Sequence, residues 1–174
     1  MINNKLIIWF TGLPCSGKTS LSKILYNYIL KKNNKVILFD GDALRNGINS
    51  DLGFCSKDRT ENLRRTIELS KIFISENYNV IVSTITPRDN QRKMIKDNLS
   101  KNIKIIYLQC SLEKCIERDV KGMYKKAMNG EIKNFTGIND EYQIPIDPDL
   151  IINTDTQTLD ESSKELIKYL ENFK

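Results

Sequence analysis

Gly12-Leu13-Pro14-Cys15-Ser16-Gly17-Lys18-Thr19 follows the apolar run Leu6 to Phe10 and opens a stretch with helical spacing. Two glycines framing four residues, then Lys-Thr, between a strand and a helix, form the pattern of a loop that wraps phosphate groups. Its backbone N–H groups close around phosphate oxygens and the positive end of the following helix adds to their pull. Lys18 reaches the outer phosphates, and the Thr19 hydroxyl is placed to ligate Mg²⁺. Residues Gly12, Leu13, Pro14, Cys15, Ser16, Gly17, Lys18, Thr19 and Ser20 are therefore the expected nucleoside triphosphate site.

Outward from the loop, apolar β-branched runs recur at Leu6 to Phe10, Val36 to Phe39, Val80 to Val82, Ile103 to Leu108 and Leu150 to Ile152. Runs of this kind are buried on both faces, which calls for a parallel sheet sandwiched by helices with right-handed crossovers. Helical spacing covers 18–31, 57–76, 90–99, 112–128 and 159–173. The expected class is α/β, a P-loop NTPase or kinase fold with a five-stranded parallel sheet, helices on both faces and a lid. A chain of 174 residues suits a single domain over 1–174. The stretch 129–148 carries Gly130, Gly137, Pro145 and Pro148 without periodicity. It reads as a long loop, either an active-site lid, taken over about 119–148, or an inert surface excursion.

Lys and Arg number 27 against 22 Asp and Glu, a formal charge of +5 that suits a polyanionic small ligand. The basic residues are scattered, which argues against a nucleic-acid groove. Four cysteines without a CxxC pair point to reduced thiols. The segment Met1 to Lys5 is too short and polar for a signal peptide, and no apolar run approaches a membrane span. A cytoplasmic protein with no membrane partner is expected.

In open parallel sheets, ligands sit beyond the carboxyl ends of the strands. That rule selects the phosphate loop, Asp40-Gly41-Asp42, Ser83 to Arg88, and Cys110-Ser111. The chain contains no histidine, so a base for an attacking hydroxyl falls to a carboxylate, and Asp42 is the first choice. Asp40 would then assist Thr19 at the Mg²⁺ shell. The structural alternative makes Asp42 the N-cap of a short helix over 43–47. Arg45, Arg59, Arg64 and Arg65 lie near Phe54 and Asn62, a mixture suited to a phosphate-bearing substrate with a stackable base. Arg59, Asn62 and Arg65 share one helical face by spacing. Phe54 and Phe135 would sandwich the base, ordinary packing being the alternative.

Asp40-Gly41-Asp42, Arg45-Asn46-Gly47, Asp51-Leu52-Gly53-Phe54, Asp58-Arg59, Glu61-Asn62 and Arg64-Arg65 together resemble adenylylsulfate kinases. So do Glu117 to Gly122, Tyr124 to Ala127, Gly130-Glu131 and Phe135-Thr136-Gly137-Ile138, in the same order. The resemblance implies transfer of the γ-phosphoryl of ATP, with Mg²⁺, to the 3′-hydroxyl of a nucleotide, with Asp42 and Lys18 catalytic. It further implies that Arg118 and Lys121 face ATP. Arg45, Arg59 and Asn62 would hold the acceptor, Ile85 would touch it through backbone, and Phe54 and Phe135 would stack its base. Thr86 stands where the family has a serine. Ala43 and Asn46 replace asparagine and histidine, and Arg88 directly follows Pro87. These departures leave two acceptors open, adenylylsulfate and the cytidine diphosphoramidate of a related branch that serves capsule decoration. A homodimer is the assembly the resemblance implies. A reading of another class is an ATP-binding switch.

Overall fold

The computed structural model describes residues 5–99 and 102–173, so the Met1 to Asn4 part of the N-terminal reading lies outside the described residues. Five strands, β1 (Ile7–Thr11), β2 (Val36–Asp40), β3 (Asn79–Ser83), β4 (Ile103–Gln109) and β5 (Leu150–Asn153), form one sheet in the order β2-β3-β1-β4-β5. All four pairings are parallel. The helices are α1 (Lys18–Lys31), α2 (Gly41–Asn46), α3 (Ser56–Ser75), α4 (Asp89–Leu99), α5 (Leu112–Arg118), α6 (Met123–Met128) and α7 (Leu159–Glu171).

Alternation along β1 explains the two layers. Ile8 and Phe10 pack on Leu21, Leu25 and Ile29 of α1 and Leu166 and Leu170 of α7. Ile7 and Trp9 pack on the other face against Leu63 and Ile67 of α3 and Ile95 and Leu99 of α4. Every residue of β1 is buried, which is why its sequence is a continuous apolar run. Helix α1 carries the chain from β1 past β3 to β2, whereas α4 carries it from β3 back past β1 to β4. The winding reverses at β1, so the crevice opens at the carboxyl end of β1, where the phosphate loop lies.

One expected helix is two. The 112–128 stretch breaks after Arg118, because the Asp119 carboxylate accepts the N–H groups of Tyr124 and Lys125, both at 3.0 Å, and thereby starts α6. Gly122, in the left-handed region at φ 65°, makes the corner. The other expected helices are present to within a few residues, and α7 opens with a Thr158–Glu161 capping box. No described helix is long and apolar enough to cross a membrane.

Candidate active site

The phosphate loop is held from behind. Carbonyls of Pro14, Cys15 and Ser16 accept, in turn, Tyr124 Oη at 3.0 Å, Arg118 Nη1 at 3.3 Å and Thr154 Oγ1 at 2.9 Å. A peptide plane points its N–H opposite its C=O, so the struts on the Pro14 and Ser16 carbonyls turn the N–H groups of Cys15 and Gly17 away from them, while the Ser16 N–H donates to the Leu13 carbonyl at 3.2 Å. Gly12 has φ 153°, and a Cβ there would stand 2.6 Å from Ser16 Oγ and 2.8 Å from the Leu108 carbonyl. Gly17 caps α1 at φ 96°. Lys18 is buried, with Nζ donating to the carbonyls of Gly12 at 2.9 Å and Leu13 at 2.6 Å. Burial pulls its pKa down to about 8, against the opposing pull of nearby groups that include Asp42 and Asp40.

Asp40, at the end of β2, caps α2 by accepting the N–H groups of Asp42 at 3.1 Å and Ala43 at 3.4 Å. Its other oxygen accepts Thr19 Oγ1 at 3.1 Å. The capping role weighed for Asp42 thus falls to Asp40, and Asp42 is left exposed at the cleft, ion-paired with Lys121. Among the described residues no cluster of three or more His, Cys, Asp or Glu forms a closed metal cage. The Thr19–Asp40 oxygen pair fits Mg²⁺, which takes only one or two protein ligands beside phosphates and water.

Across the cleft, the exposed Phe54 ring lies beneath two arginines. The Arg45 guanidinium lies 4.3 Å over its ring and that of Arg59 at 5.7 Å. Arg59 also joins the two walls: Nε donates to the Phe54 carbonyl at 3.0 Å and Nη2 to the Asn134 carbonyl at 2.5 Å, next to Phe135. Burial lowers the pKa of both arginines, and mutual repulsion lowers that of Arg45 further. Two crowded, partly desolvated cations are stabilised by a nearby anion. Phe135 meets Tyr124 edge-on at 5.0 Å and is half-buried against Cys110 and Cys115, so packing takes part of its surface.

The remaining expected residues are distributed unevenly. Arg118 reaches the phosphate loop but also donates to the Thr154 carbonyl at 2.5 Å, as a strut. The Ile85 carbonyl is taken by Thr11 Oγ1 at 2.7 Å. Thr86 is buried in the left-handed region at φ 45°, strained for a β-branched residue. Its hydroxyl meets Trp9 Nε1 at 3.0 Å and Thr84 Oγ1 at 2.8 Å. Arg65 leaves the shared face, donating to both Asp51 oxygens at 2.7 and 2.8 Å and to the Ile48 carbonyl at 3.0 Å. It braces the turn that presents Phe54.

Several roles escaped the sequence reading, although Arg88 and Tyr124 are singled out there by position. Tyr124 and Thr154 hold the phosphate loop; Thr154 follows β5, so extending the strand-end rule to the fifth strand finds it. The root of the lid is fastened by Arg88 to Asp140 at 2.5 Å and Glu141 at 2.7 Å. Buried Arg92 grips the carbonyls of Thr86 at 2.7 Å and Gln143 at 2.6 Å. Asn49, fully buried, donates to Asn62 Oδ1 at 2.8 Å while its own Oδ1 has no partner. An orphaned buried acceptor costs about 1–3 kcal/mol.

A family model described as adenylylsulphate kinase matches residues 4–153. An adenylyl-sulfate kinase of Clostridium acetobutylicum is 42% identical over 168 residues, covering 97% of this chain and 84% of the relative. One from Clostridium kluyveri is 39% identical over 167 residues, covering 96% and 84%. The solved Mycobacterium tuberculosis APS kinase in complex with AMPPNP and APS superimposes with a TM-score of 0.90 at 36% identity, covering 97% of this chain and 98% of that one.

Proposed function

The chain belongs to the adenylylsulphate kinase family, and from that membership we propose that it transfers the γ-phosphoryl group of ATP to the 3′-hydroxyl of adenylylsulfate, forming 3′-phosphoadenylylsulfate. The observation that carries the reading is the meeting of three parts at one crevice. These are a phosphate loop whose carbonyls are held from behind, the Arg45 and Arg59 guanidinium groups over the Phe54 ring, and Asp42 with no capping duty.

Phosphoryl transfer asks the protein mainly for alignment and charge neutralisation. Loop N–H groups and Lys18 hold the donor phosphates, with Arg118 and Lys121 on the same side. Arg45, Arg59 and Asn62 hold the acceptor's charged group and ribose, while Phe54 and Phe135 take its base and Ile85 and Thr86 form the wall beneath. Mg²⁺, held by Thr19 with Asp40, would supply further neutralisation of the phosphates. Lys121 exchanges Asp42 for a phosphate oxygen, which leaves the carboxylate free to act as base. Asp42 then takes the hydroxyl proton as the new O–P bond forms, and the bond from the γ-phosphorus to its bridging oxygen breaks with the electron pair leaving on ADP.

The matching relatives are named for adenylyl-sulfate, which favours that acceptor over cytidine diphosphoramidate. A coupled ADP-release assay with the two acceptors side by side tests the choice: turnover on adenylylsulfate is expected. Efficient turnover on the cytidine compound alone would replace the acceptor, and ATP binding without turnover on either would return the switch reading. The family resemblance supports a homodimer, which light scattering on the purified chain would check.

A further inference from the structure

We propose that Asn49 is a positioning residue for the acceptor, acting through the side-chain amide of Asn62. The proposal rests on the reading of Asn62 as an acceptor contact. Asn49 sits in the turn between α2 and Phe54, where its N–H donates to the Leu44 carbonyl at 2.9 Å and its carbonyl accepts Leu52 N–H at 3.1 Å. Its backbone therefore already secures the turn. Its side chain, fully buried, adds a bond of a different kind, Nδ2 to Asn62 Oδ1 at 2.8 Å.

A carboxamide has a donor end and an acceptor end, and turning it over exchanges them. While Nδ2 of Asn49 donates to it, Oδ1 of Asn62 is turned toward Asn49, and Nδ2 of Asn62 is the end left as a donor to substrate oxygens. A buried asparagine with a purely structural task would satisfy both of its own ends. Asn49 does not, because its Oδ1 is one of the buried side-chain polar atoms without a partner among the described residues. The bond that its side chain does make goes to the residue read as an acceptor contact. That pattern belongs to sites where local satisfaction yields to function.

Asn49→Asp separates this role from simple support of the turn. The carboxylate matches the amide in size but only accepts, so Asn62 must turn its Nδ2 back to meet it and show its oxygen to the substrate. The expected result is a KM for adenylylsulfate about tenfold higher, the worth of one hydrogen bond, with the KM for ATP unchanged. In an Asn62→Ala background the same substitution should leave the adenylylsulfate KM where Asn62→Ala alone puts it. If Asn62→Ala alone leaves that KM at its native value, the reading of Asn62 as an acceptor contact falls, and this proposal with it. If Asn62→Ala raises the KM and Asn49→Asp raises it equally in both backgrounds, the positioning role alone is overturned. Should Asn49→Asp fail to fold, Asn49→Ser, which retains a donor, is compared with Asn49→Ala. A native-like KM for serine and a severalfold higher one for alanine support the role, and equal KM values overturn it.

Discussion

On the proposed donor side of the cleft the grip comes from the loop backbone and the buried Lys18, with Arg118 and Lys121 beside them; on the proposed acceptor side it comes from the ends of long side chains. The phosphate loop lies between the central strand and α1, and three struts hold its carbonyls from behind. The proposed acceptor wall is joined by Arg59 to Asn134 and Arg88 to Asp140, and Lys121 ties the ATP side to Asp42, contacts between residues 75, 52 and 79 positions apart. Exposed ion pairs such as Lys121–Asp42 are each worth under about 1 kcal/mol, so they can part and re-form. A rigid grip suits a phosphate chain common to many enzymes, and a wall of weak, distant contacts suits a surface that must open for a particular acceptor.

The contrast can be broken from either side. Lys18→Met should lower kcat/KM by about 10²–10³ in steady-state assays, the range for removing one preorganised charge from a transition state. A loss confined to the KM for acceptor would show that the two sides are not separate. Arg59→Ala should raise the KM for adenylylsulfate about tenfold or more, the effect of losing a charged hydrogen bond, and leave the KM for ATP near native. Asp140→Ala removes the carboxylate shared by Arg59 and Arg88, at 3.8 and 2.5 Å. It should raise the acceptor KM a fewfold, by about the worth of a part-exposed ion pair.

The smallest expected effect is a proton. Lys18 titrates near pH 8 in the ligand-free chain, and a phosphate beside it restores a pKa closer to the ordinary lysine value. ATP binding should therefore take up part of a proton at about pH 8–9, measured by calorimetry in buffers of different ionisation heat. The same depression means that the ligand-free fold gains stability as pH rises from about 8 toward the unfolded lysine value of about 10.4, because only the unfolded chain still holds the proton. A flat stability profile across that window would place Lys18 in water.

The same contrast governs what the sequence discloses. Gly12 to Thr19 form a local motif, and the β1 run of buried residues announces its strand, so the donor site and the sheet are readable from one end. Asp42 is readable because it follows β2. The break at Asp119 to Gly122 is hidden inside helical spacing and depends on a side-chain cap that periodicity does not register. Tyr124, Thr154 and Arg92 act on carbonyls far along the chain, and Arg65 leaves its helical face for Asp51, so their partners emerge only from the packing. Asn49 gives no signal at all, since a turn asparagine is ordinary until its burial and its bond to Asn62 are seen.

The central claim is that Asp42 accepts the acceptor's proton, and kcat of Asn-substituted chain, Asp42→Asn, at saturating ATP and adenylylsulfate tests it directly. The account predicts a fall of about 10²–10⁴ with ATP affinity retained. Turnover within about twofold of the native rate, far inside the range expected for loss of a general base, would contradict it.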